Sequence, residues 1–500
     1  MNENNSVKIK NILILLPLFL SFLFLINFKG LKKEKSLINK YNKPKEISLY
    51  LKKELNIKES FDPKCKEYDP IYMLEQRINN KITLCNSQNS THLCYINNMN
   101  IFISRKGIIC KMDNFILDPS NWKDRDYIYK GRDYNLSDSS PLISKGLFNM
   151  KCDIINEFDD YDRHYKKYID SWNYKLNKNN NDDDFEKNKE DYKINELSPG
   201  KIVFFISRDH GSANLFHGGS EFINAFSLLY LFDLNPEDIQ IVFLESLNFE
   251  KNDPFYNLYK YVISGGNEPI SIRNLKNKYH IKSAFHVPVH WDSPCYLLSI
   301  APNCEYPTKT YYLLNFYIDK YLKIPNFIDF YKSDNETYYY PKLNNNNTEY
   351  KKYITIQWRR LWPKGRINQE RLLGNGPELA NKLASKLPNN ILIRLVDTSK
   401  LFIEEQISIM KKTDYFIGVH GAGLFLSIFL PTNSIVHEIK KGYNMNGLRL
   451  MSCLSGHKTY SDIICTDVKR INNSEYLFFD ENELIKSILK HMEENNFFSS

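Results

Sequence analysis

The sequence predicts an α/β protein built from two doubly wound domains that face a cleft, preceded by an N-terminal transmembrane helix. Three observations lead to this prediction. A strand–helix–strand pattern spans residues 202–244, a longer alternation of strands and helices spans residues 353–439, and an uncharged apolar run occupies residues 11–28. A chain of 500 residues exceeds one ordinary hydrophobic core, so two domains with accessory segments are expected.

The apolar run at residues 11–28 lies between Lys10 and Lys29 and is just long enough to span a bilayer. A cleaved signal peptide is the alternative, but the flanking sequence lacks a small-residue cleavage site. We therefore expect an uncleaved anchor, with residues 1–10 as a cytoplasmic tail and the Lys-rich residues 29–60 as a stem. Lysines flank both ends of the run, so the positive-inside rule does not decide its orientation.

The predicted first domain, residues 61–345, begins with short apolar runs and cysteines that indicate a small disulfide-bonded, β-rich cap. Strands at 202–207 and 239–244 flank a helix at 221–232, which together form the β–α–β unit of a Rossmann-like domain. Residues 177–192 contain almost no apolar side chains, so we expect them to be a disordered insertion.

The predicted second domain, residues 346–475, follows an Asn-rich linker at 343–352. Strands are expected at 353–358, 391–395, 415–419 and 434–439, and helices at 377–386 and 402–411. This alternation is typical of a second Rossmann-like, doubly wound domain. The remaining residues, 476–500, contain a closing helix at 481–494.

None of the nine cysteines has the CxxC spacing of a zinc site, so disulfides are the better interpretation. Cys295 with Cys304, and Cys453 with Cys465, are close enough in sequence to close short loops. Five cysteines in the first third are expected to staple the N-terminal region, and one thiol is left over. Glycosylation sequons compatible with a lumenal chain occur at Asn89, Asn135, Asn335, Asn346 and Asn472.

The net charge of +8 is spread among many lysine, tyrosine and asparagine residues, without an arginine stripe or an aromatic stacking module. This distribution argues against nucleic acid as a partner. Two Asp-x-Asp sequences, at 124–126 and 160–162, lie in polar stretches that no apolar strand precedes, so they do not predict a metal site. We expect neither a metal nor a cofactor.

The most informative segment is residues 414–424, which predicts a buried strand, a glycine turn and a helix N-terminus. Backbone N–H groups and the helix dipole at such a turn make an anion site that fits a nucleotide diphosphate. Its two glycines are expected to supply the φ values of the turn, while a glutamate ending the next strand accepts hydrogen bonds from ribose hydroxyls. The residues assigned to this site are His420, Gly421, Ala422, Gly423, Leu424 and Glu438.

The order and spacing of these residues resemble glycosyltransferase family 61, in which a G-x-H-G-A-G-L strand and turn precedes a leucine–proline step and a glutamate-ended strand. Residues 213–222 resemble the family's N-L-F-H-x-x-x-[DE]-[FW] segment. The Ala-Asn-Leu-Phe-His sequence is most similar to the plant β-1,2-xylosyltransferases, whereas the EGF-domain O-GlcNAc transferases share the histidine and the acidic position. The resemblance covers roughly residues 200–470.

The resemblance implies a GT-B architecture, in which two Rossmann-like domains face a cleft, and an inverting, metal-independent transfer from a UDP-sugar. In that architecture the closing helix often crosses back to the first domain. The resemblance also implies phosphate binding by arginines at the end of a strand and in the next loop, where bidentate contacts favour that residue. These arginines, and the asparagine of the same segment, are Arg359, Arg360, Arg366 and Asn368.

Transfer from a nucleotide sugar requires a base that deprotonates the acceptor hydroxyl. Glu221 is the leading candidate, because it occupies the family's acidic position and lies on one helix face with His217, four residues earlier. His217, Asp209 and His210 are the alternatives.

The sequence therefore predicts a lumenal, membrane-anchored enzyme that transfers a sugar, preferably xylose, from a UDP-sugar to the glycan of a glycoprotein. Transfer of GlcNAc from UDP-GlcNAc to EGF-like domains is the enzymatic alternative. A noncatalytic lumenal glycan-binding protein is the alternative of another class. The expected location is the Golgi membrane, as a single-pass type II protein, with the endoplasmic reticulum as the alternative.

Overall fold

The computed structural model describes residues 63–66, 68–78, 81–96, 108–123, 142–143, 145–155, 171–174, 194–207, 215–244, 254–287, 304, 307–322, 337–341, 350–358, 372–440, 452–462, 465–471 and 474–498. The predicted anchor, the stem, the insertion at 177–192 and most of the linker at 343–352 lie outside these residues. No helix within the described ranges is long and apolar enough to cross a membrane. Residues 61–500 form one compact unit.

The first half of this unit is organised around an eleven-stranded sheet. In chain order, the strands of this half are β1 (Lys81–Asn86), β2 (Thr91–Ile96), β3 (Ile108–Leu117), β4 (Trp122–Lys123), β5 (Leu142–Ile143), β6 (Phe148–Met150), β7 (Asp153–Ile154), β8 (Trp172–Tyr174), β9 (Asn195–Glu196), β10 (Ile202–Ile206), β11 (Ile239–Phe243), β12 (Ile270–Ser271) and β13 (Tyr279–Val287). Only β4 and β5 stand apart from the large sheet, as a pair of their own.

The parallel part of the large sheet has the order β12, β11, β10, β13. Numbered along the chain, these four strands follow the order 3-2-1-4 that opens a Rossmann sheet. The apolar runs of β10 and β11 are buried on both faces, as expected of parallel strands covered by helices, and β10 is the sequence Ile-Val-Phe-Phe-Ile. The predicted β–α–β unit of the first domain is thus confirmed.

The predicted cap is β-rich and disulfide-bonded, but it extends the same sheet rather than sitting on it. β3 pairs antiparallel with β13, and β2, β1 and β7 follow outward. Two disulfides, Cys94–Cys110 and Cys85–Cys152, join strands or segments of this extension. Its core contains stacked aromatic rings, with Phe148 and Trp172 at a centroid distance of 4.8 Å.

Both predicted short-loop disulfide pairings are wrong. Cys304 pairs with Cys65, 239 residues away, and not with Cys295. Cys453 is buried and forms no disulfide, so it does not pair with Cys465. Its sulfur instead lies 3.1 Å from the Thr459 hydroxyl. Sequence proximity was a poor guide because the folded chain brings distant segments together.

The second half contains a six-stranded sheet. The strands of this half are β14 (Tyr338–Tyr339), β15 (Lys352–Gln357), β16 (Leu372–Leu373), β17 (Ile391–Val396), β18 (Tyr415–Val419), β19 (Ile435–Ile439), β20 (Lys458–Asp462), β21 (Cys465–Ile471) and β22 (Ser474–Phe479). The order in the sheet is β14, β17, β15, β18, β19, β20, parallel except for β14. β16, β22 and β21 form a separate small sheet.

The five parallel strands have the order 2-1-3-4-5, which is the other common doubly wound arrangement. The predicted strands of this half are confirmed to within one or two residues. The edge strand β14 belongs to this sheet although its residues were assigned to the first domain. The mixed α/β class is therefore confirmed.

The helices cover these sheets. They are α1 (Pro63–Lys66), α2 (Pro70–Ile78), α3 (Leu215–Leu231), α4 (Lys309–Tyr321), α5 (Gly376–Lys386), α6 (Ile403–Met410) and α7 (Glu481–Glu494). The closing helix α7 has the predicted bounds and is capped by Asp480, which accepts hydrogen bonds from two backbone N–H groups. It packs on α5 of the second half, where Lys382 pairs with Glu481, rather than crossing back as expected.

Candidate functional site

The second sheet has one point where its strand order reverses, between β15 and β18. In open α/β sheets, ligands bind at the carboxyl ends of the strands at such a switch point, because the loops there diverge to opposite faces. β15 ends at Gln357, and β18 ends at Val419, directly before His420. The glycine motif predicted from the sequence therefore lies where this topology opens a crevice.

The turn after β18 leads into a 3₁₀-helix, Ala422–Phe429, and not into the expected α-helix. Its first internal hydrogen bond joins the Leu424 N–H to the Gly421 carbonyl at 3.0 Å. The N–H groups of Ala422 and Gly423 thus precede the helical hydrogen-bond ladder, and both residues are partly exposed. This end of the helix can present backbone donors to an anion, as predicted.

The two glycines of the turn have different roles from those predicted. Gly421 is nearly extended, with φ 159° and ψ 175°, and Gly423 does not have positive φ. Glycine is needed at position 423 because of packing, since a Cβ there would lie 1.8 Å from Nε2 of Gln357. That amide is buried and donates to the Thr398 hydroxyl at 3.1 Å. The side chain of Gln357 therefore supports the turn from below.

A charged cluster lies beside the turn. Glu438 Oε1 is 2.5 Å from Nδ1 of His420, and Glu438 Oε2 is 3.2 Å from Nζ of Lys440. Ser461 donates to the same Oε2 at 3.4 Å. The side chains of His420, Glu438 and Lys440 are 13%, 3% and 7% exposed. The Glu438 carboxylate therefore orients the His420 ring through Nδ1.

This geometry changes the expected role of Glu438. A carboxylate that is 3% exposed and already contacts a histidine, a lysine and a serine is poorly placed for two ribose hydroxyls. Its contacts are those of a residue that holds His420 and Lys440 in position. A basic pair beside a set of backbone donors is suited to a diphosphate.

The other candidate residues lie on α3, the first described element after β10. β10 and β13 are the strands between which the order of the first sheet reverses, so α3 starts from the switch point of that sheet. Its bounds are Leu215–Leu231, whereas the prediction was 221–232. Gly218 and Gly219 precede the predicted start of the helix, but both are buried inside it.

One face of α3 carries a polar row. His217, Glu221 and Asn224 follow one another at helical spacing, and the predicted shared face of His217 and Glu221 is thus confirmed. Glu221 and Asn224 are fully buried, while His217 is partly exposed. Glu221 lies in the second turn of the helix, and not at the helix start. His217 is therefore the more accessible of the two candidate bases.

Gly219 brings the two predicted motifs together. The backbone of α3 at this residue packs against the Phe425 ring in the 3₁₀-helix, so closely that a Cβ would lie 2.2 Å from Cε2 and Cζ of that ring. Phe255 adds an edge contact to Phe425 at a centroid distance of 6.0 Å. The helix with the candidate bases and the helix after the glycine turn are direct neighbours.

Comparison with known protein families matches residues 272–437 of the chain to the family described as Glycosyltransferase 61. This segment of the chain is similar to glycosyltransferase family 61. No curated protein matches the chain. The family match supports glycosyltransferase activity in general, with a sugar donor and a glycan acceptor.

The family 61 match includes the glycine turn and ends at His437, one residue before Glu438. It does not reach α3, so the assignment of Glu221 and His217 rests on the resemblance of residues 213–222 and on the Gly219 contact. Five predicted residues lie outside the described residues: Asp209, Arg359, Arg360, Arg366 and Asn368. The alternative base His210 also lies outside them.

Three residues of the candidate site were not identified from the sequence. Lys440 follows Glu438 by two residues, so strand alternation places both on one side, and this spacing was a usable signal. Gln357 is a buried polar residue at the end of an apolar strand, which is also a recognisable feature. Gly219 had no such signal, since its importance depends on a ring more than 200 residues away, Phe425.

Burial also lowers the pKa values of two histidines in the first sheet. His286 lies near the end of β13, and its Nε2 is 3.1 Å from the Ser207 hydroxyl. Burial lowers the pKa of His286 to about 3. The pKa of His92 is also lowered to about 3, by burial and by the neighbouring His286. Both side chains are therefore neutral at physiological pH.

Proposed function

We propose that the protein is an inverting glycosyltransferase that transfers a sugar, with xylose as the first choice, from a UDP-sugar to the glycan of a glycoprotein. The observation that carries this proposal is the contact between Gly219 of α3 and Phe425 of the 3₁₀-helix. This contact makes α3, the helix that carries Glu221 and His217, a direct neighbour of the 3₁₀-helix that begins at the glycine turn. A transferase needs a base and an anion site side by side.

The donor would bind at the carboxyl edge of the second sheet. The N–H groups of Ala422 and Gly423, with His420 and Lys440, would bind the diphosphate and stabilise the charge that develops on it as the sugar leaves. Glu438 would hold the two basic side chains. Arg359, Arg360, Arg366 and Asn368 are proposed as further donor contacts, from the family resemblance alone. No metal is needed in this scheme, because basic side chains and backbone dipoles neutralise the leaving group.

The acceptor would approach from the side of the first sheet, in a GT-B arrangement of the two α/β halves. The acceptor hydroxyl loses its proton to the base, its oxygen forms the bond to the anomeric carbon, and the bond from that carbon to the diphosphate breaks. Attack from the face opposite UDP inverts the anomeric configuration. Glu221 is the proposed base, with His217 and Asp209 as the alternatives.

A screen of UDP-sugars, scored for both hydrolysis and transfer to glycoprotein glycans, tests the donor and the acceptor. UDP-xylose with an N-glycan acceptor should give the fastest transfer. Transfer of GlcNAc to an EGF-like domain would replace the xylose proposal, and binding without any turnover would favour a noncatalytic glycan-binding protein.

Glu221→Gln tests the base. The amide nearly keeps the shape of the side chain but cannot accept a proton, so transfer should fall by about 10²- to 10⁴-fold while UDP still binds. His217→Gln is the parallel variant on the same helix face. If Glu221→Gln transfers at the parental rate and the His217 variant does not, His217 is the base.

We also propose that this domain lies in the secretory lumen, anchored in the Golgi membrane as a type II protein. The described residues contain disulfides joining Cys65 to Cys304, Cys85 to Cys152 and Cys94 to Cys110, which is typical of an oxidising compartment. The sequon residue Asn89 is exposed in the turn between β1 and β2. A C-terminal tag should resist protease in intact microsomes and be digested once detergent is added. Digestion without detergent would refute the lumenal location.

A further inference from the structure

Three side chains from different elements converge behind the strand that carries Glu438. They are His437 of β19, Asp462 at the end of β20, and His491 of the closing helix α7. One ligand atom from each lies within 4.8 Å of the other two. His437 is fully buried, and the side chain of Asp462 is 23% exposed. Because neighbouring strand residues point to opposite faces, this cluster lies on the other side of β19 from Glu438.

Hydrogen bonds hold two of the three side chains of the cluster in position. His437 Nε2 lies 2.9 Å from Oδ2 of Asp462, and His437 Nδ1 lies 3.0 Å from the Tyr415 hydroxyl. Ser487 Oγ donates to the same Asp462 oxygen. These contacts fix the imidazole of His437 and the carboxylate of Asp462 before any ligand arrives.

His491 completes the cluster. Its ring stacks on Tyr460 with a centroid distance of 3.6 Å and an interplanar angle of 12°, so its plane is held. Its Nδ1 is buried and makes no hydrogen bond within the described part of the chain. A buried imidazole nitrogen beside a histidine and a carboxylate needs a partner, and a cation provides one.

We propose that His437, Asp462 and His491 bind a zinc ion. Zinc takes imidazole nitrogen at about 2.0–2.1 Å and carboxylate oxygen at about 2.0–2.2 Å, so two ligands of a tetrahedral site lie roughly 3.4 Å apart. The His437–Asp462 pair must widen slightly to reach this spacing, and His491 must move inward. With Nε2 of His437 on the metal, Nδ1 donates to Tyr415, which is the usual outer contact of a ligating histidine.

The donor set selects the metal. Two nitrogens and one carboxylate suit zinc, whereas calcium and magnesium prefer sites made of oxygen alone. One ionised carboxylate and two neutral imidazoles leave the site with a charge of about +1 and a fourth position for water. The ion would tie α7 to β19 and β20. It has no part in the sugar transfer, for which no metal is proposed.

The test is zinc binding by the purified full chain after removal of metal with a chelator. Calorimetric titration should show about one zinc per chain, and zinc should raise the melting temperature of the wild-type protein, reversibly on adding chelator. Calcium and magnesium should do neither. A wild-type protein whose melting temperature and titration do not respond to zinc would overturn the proposal, independently of how any variant folds.

Two variants locate the ion. His491→Phe keeps the stacked ring but removes the nitrogens, and Asp462→Asn keeps the shape but removes the charge. Each should weaken zinc binding by at least about 100-fold without lowering the melting temperature measured in chelator by a comparable amount. His280→Gln, on β13 of the other sheet, is the matched control and should bind zinc as the wild type does. Equal zinc affinity in wild type, His491→Phe and Asp462→Asn would place the ion elsewhere and refute the assignment.

Discussion

The contact between Gly219 and Phe425 is the feature on which the proposed active site depends, and Gly219→Ala tests it. The added Cβ would lie 2.2 Å from two ring atoms of Phe425, whereas ordinary contacts begin at 3.4 Å. Helix α3 or the ring must therefore move by about 1.2 Å, the difference between these two distances. The ring has little room, because Phe255 and Phe429 contact it at centroid distances of 6.0 and 5.9 Å.

Two effects on stability oppose each other in this variant. Alanine is better than glycine inside a helix by about 1 kcal/mol, whereas overpacking a buried contact costs about 1–3 kcal/mol. The free energy of unfolding should thus fall by at most about 2 kcal/mol, and the protein should still fold. A displacement of about 1 Å between the base and the donor should reduce transfer on the order of 100-fold. UDP affinity should change much less, since the glycine turn itself is not altered.

Transfer rate, UDP affinity and melting temperature should be measured on the same preparation. Phe425→Leu removes ring atoms that the new Cβ would meet, so the double variant should recover transfer relative to Gly219→Ala alone. Phe425→Leu by itself is the control for the small cavity. Parental transfer by a well-folded Gly219→Ala protein would show that the two motifs do not have to meet, and the proposed site would fail with it.

Three further outcomes follow from the described contacts. Gly423→Ala should displace the Gln357 side chain that supports the turn, which should lower the free energy of unfolding by about 1–3 kcal/mol and weaken UDP binding. Urea unfolding and calorimetric titration with UDP measure these two effects. In a Gln357→Ala background, Gly423→Ala should lose most of its effect on stability. The pKa values of His92 and His286 in the folded protein are about 3, so acid protonates these histidines in the unfolded chain first, and stability is lost as the pH falls from 6.5 towards 3. Each histidine should lower the free energy of unfolding by about 2 kcal/mol between pH 6.5 and 5. His286→Gln should therefore make urea unfolding less sensitive to pH across this range. Cys304→Ser removes the disulfide to Cys65, which closes a loop of 239 residues, and should lower the free energy of unfolding by about 2–5 kcal/mol. A reductant should lower the melting temperature of the wild type more than that of this variant.

The strands were the most predictable part of the fold. Residues 415–419 and 435–439 form β18 and β19 because continuous apolar runs bounded by polar residues or glycine fit buried parallel strands. The closing helix was equally clear, since Asp480 caps it and its apolar residues recur at helical spacing. These features depend on local sequence alone, which explains why they could be read without a structure.

The errors share one cause, which is contact between residues distant in sequence. The predicted helix began at residue 221 and left out Gly219, yet packing against Phe425 makes glycine favourable at this position inside α3. The Cys65–Cys304 disulfide spans 239 residues, so spacing along the chain could not predict it. Gly423 was explained by its φ angle, whereas the Gln357 amide is what excludes a side chain. In each case the deciding contact joins residues that are far apart in the sequence.

The two sheets explain why the site needs both halves of the chain. The parallel part of each sheet reverses its strand order once, between β10 and β13 in the first and between β15 and β18 in the second. Among its described residues, the second switch point carries backbone donors and basic side chains, which fit a leaving diphosphate. The first carries a helix with a carboxylate and a histidine but no comparable anion site among its described residues. Neither half alone satisfies the chemistry of transfer, so the closeness of α3 to the 3₁₀-helix is a requirement of the proposed mechanism. A side chain at Gly219 would separate the halves at the point where the mechanism needs them closest.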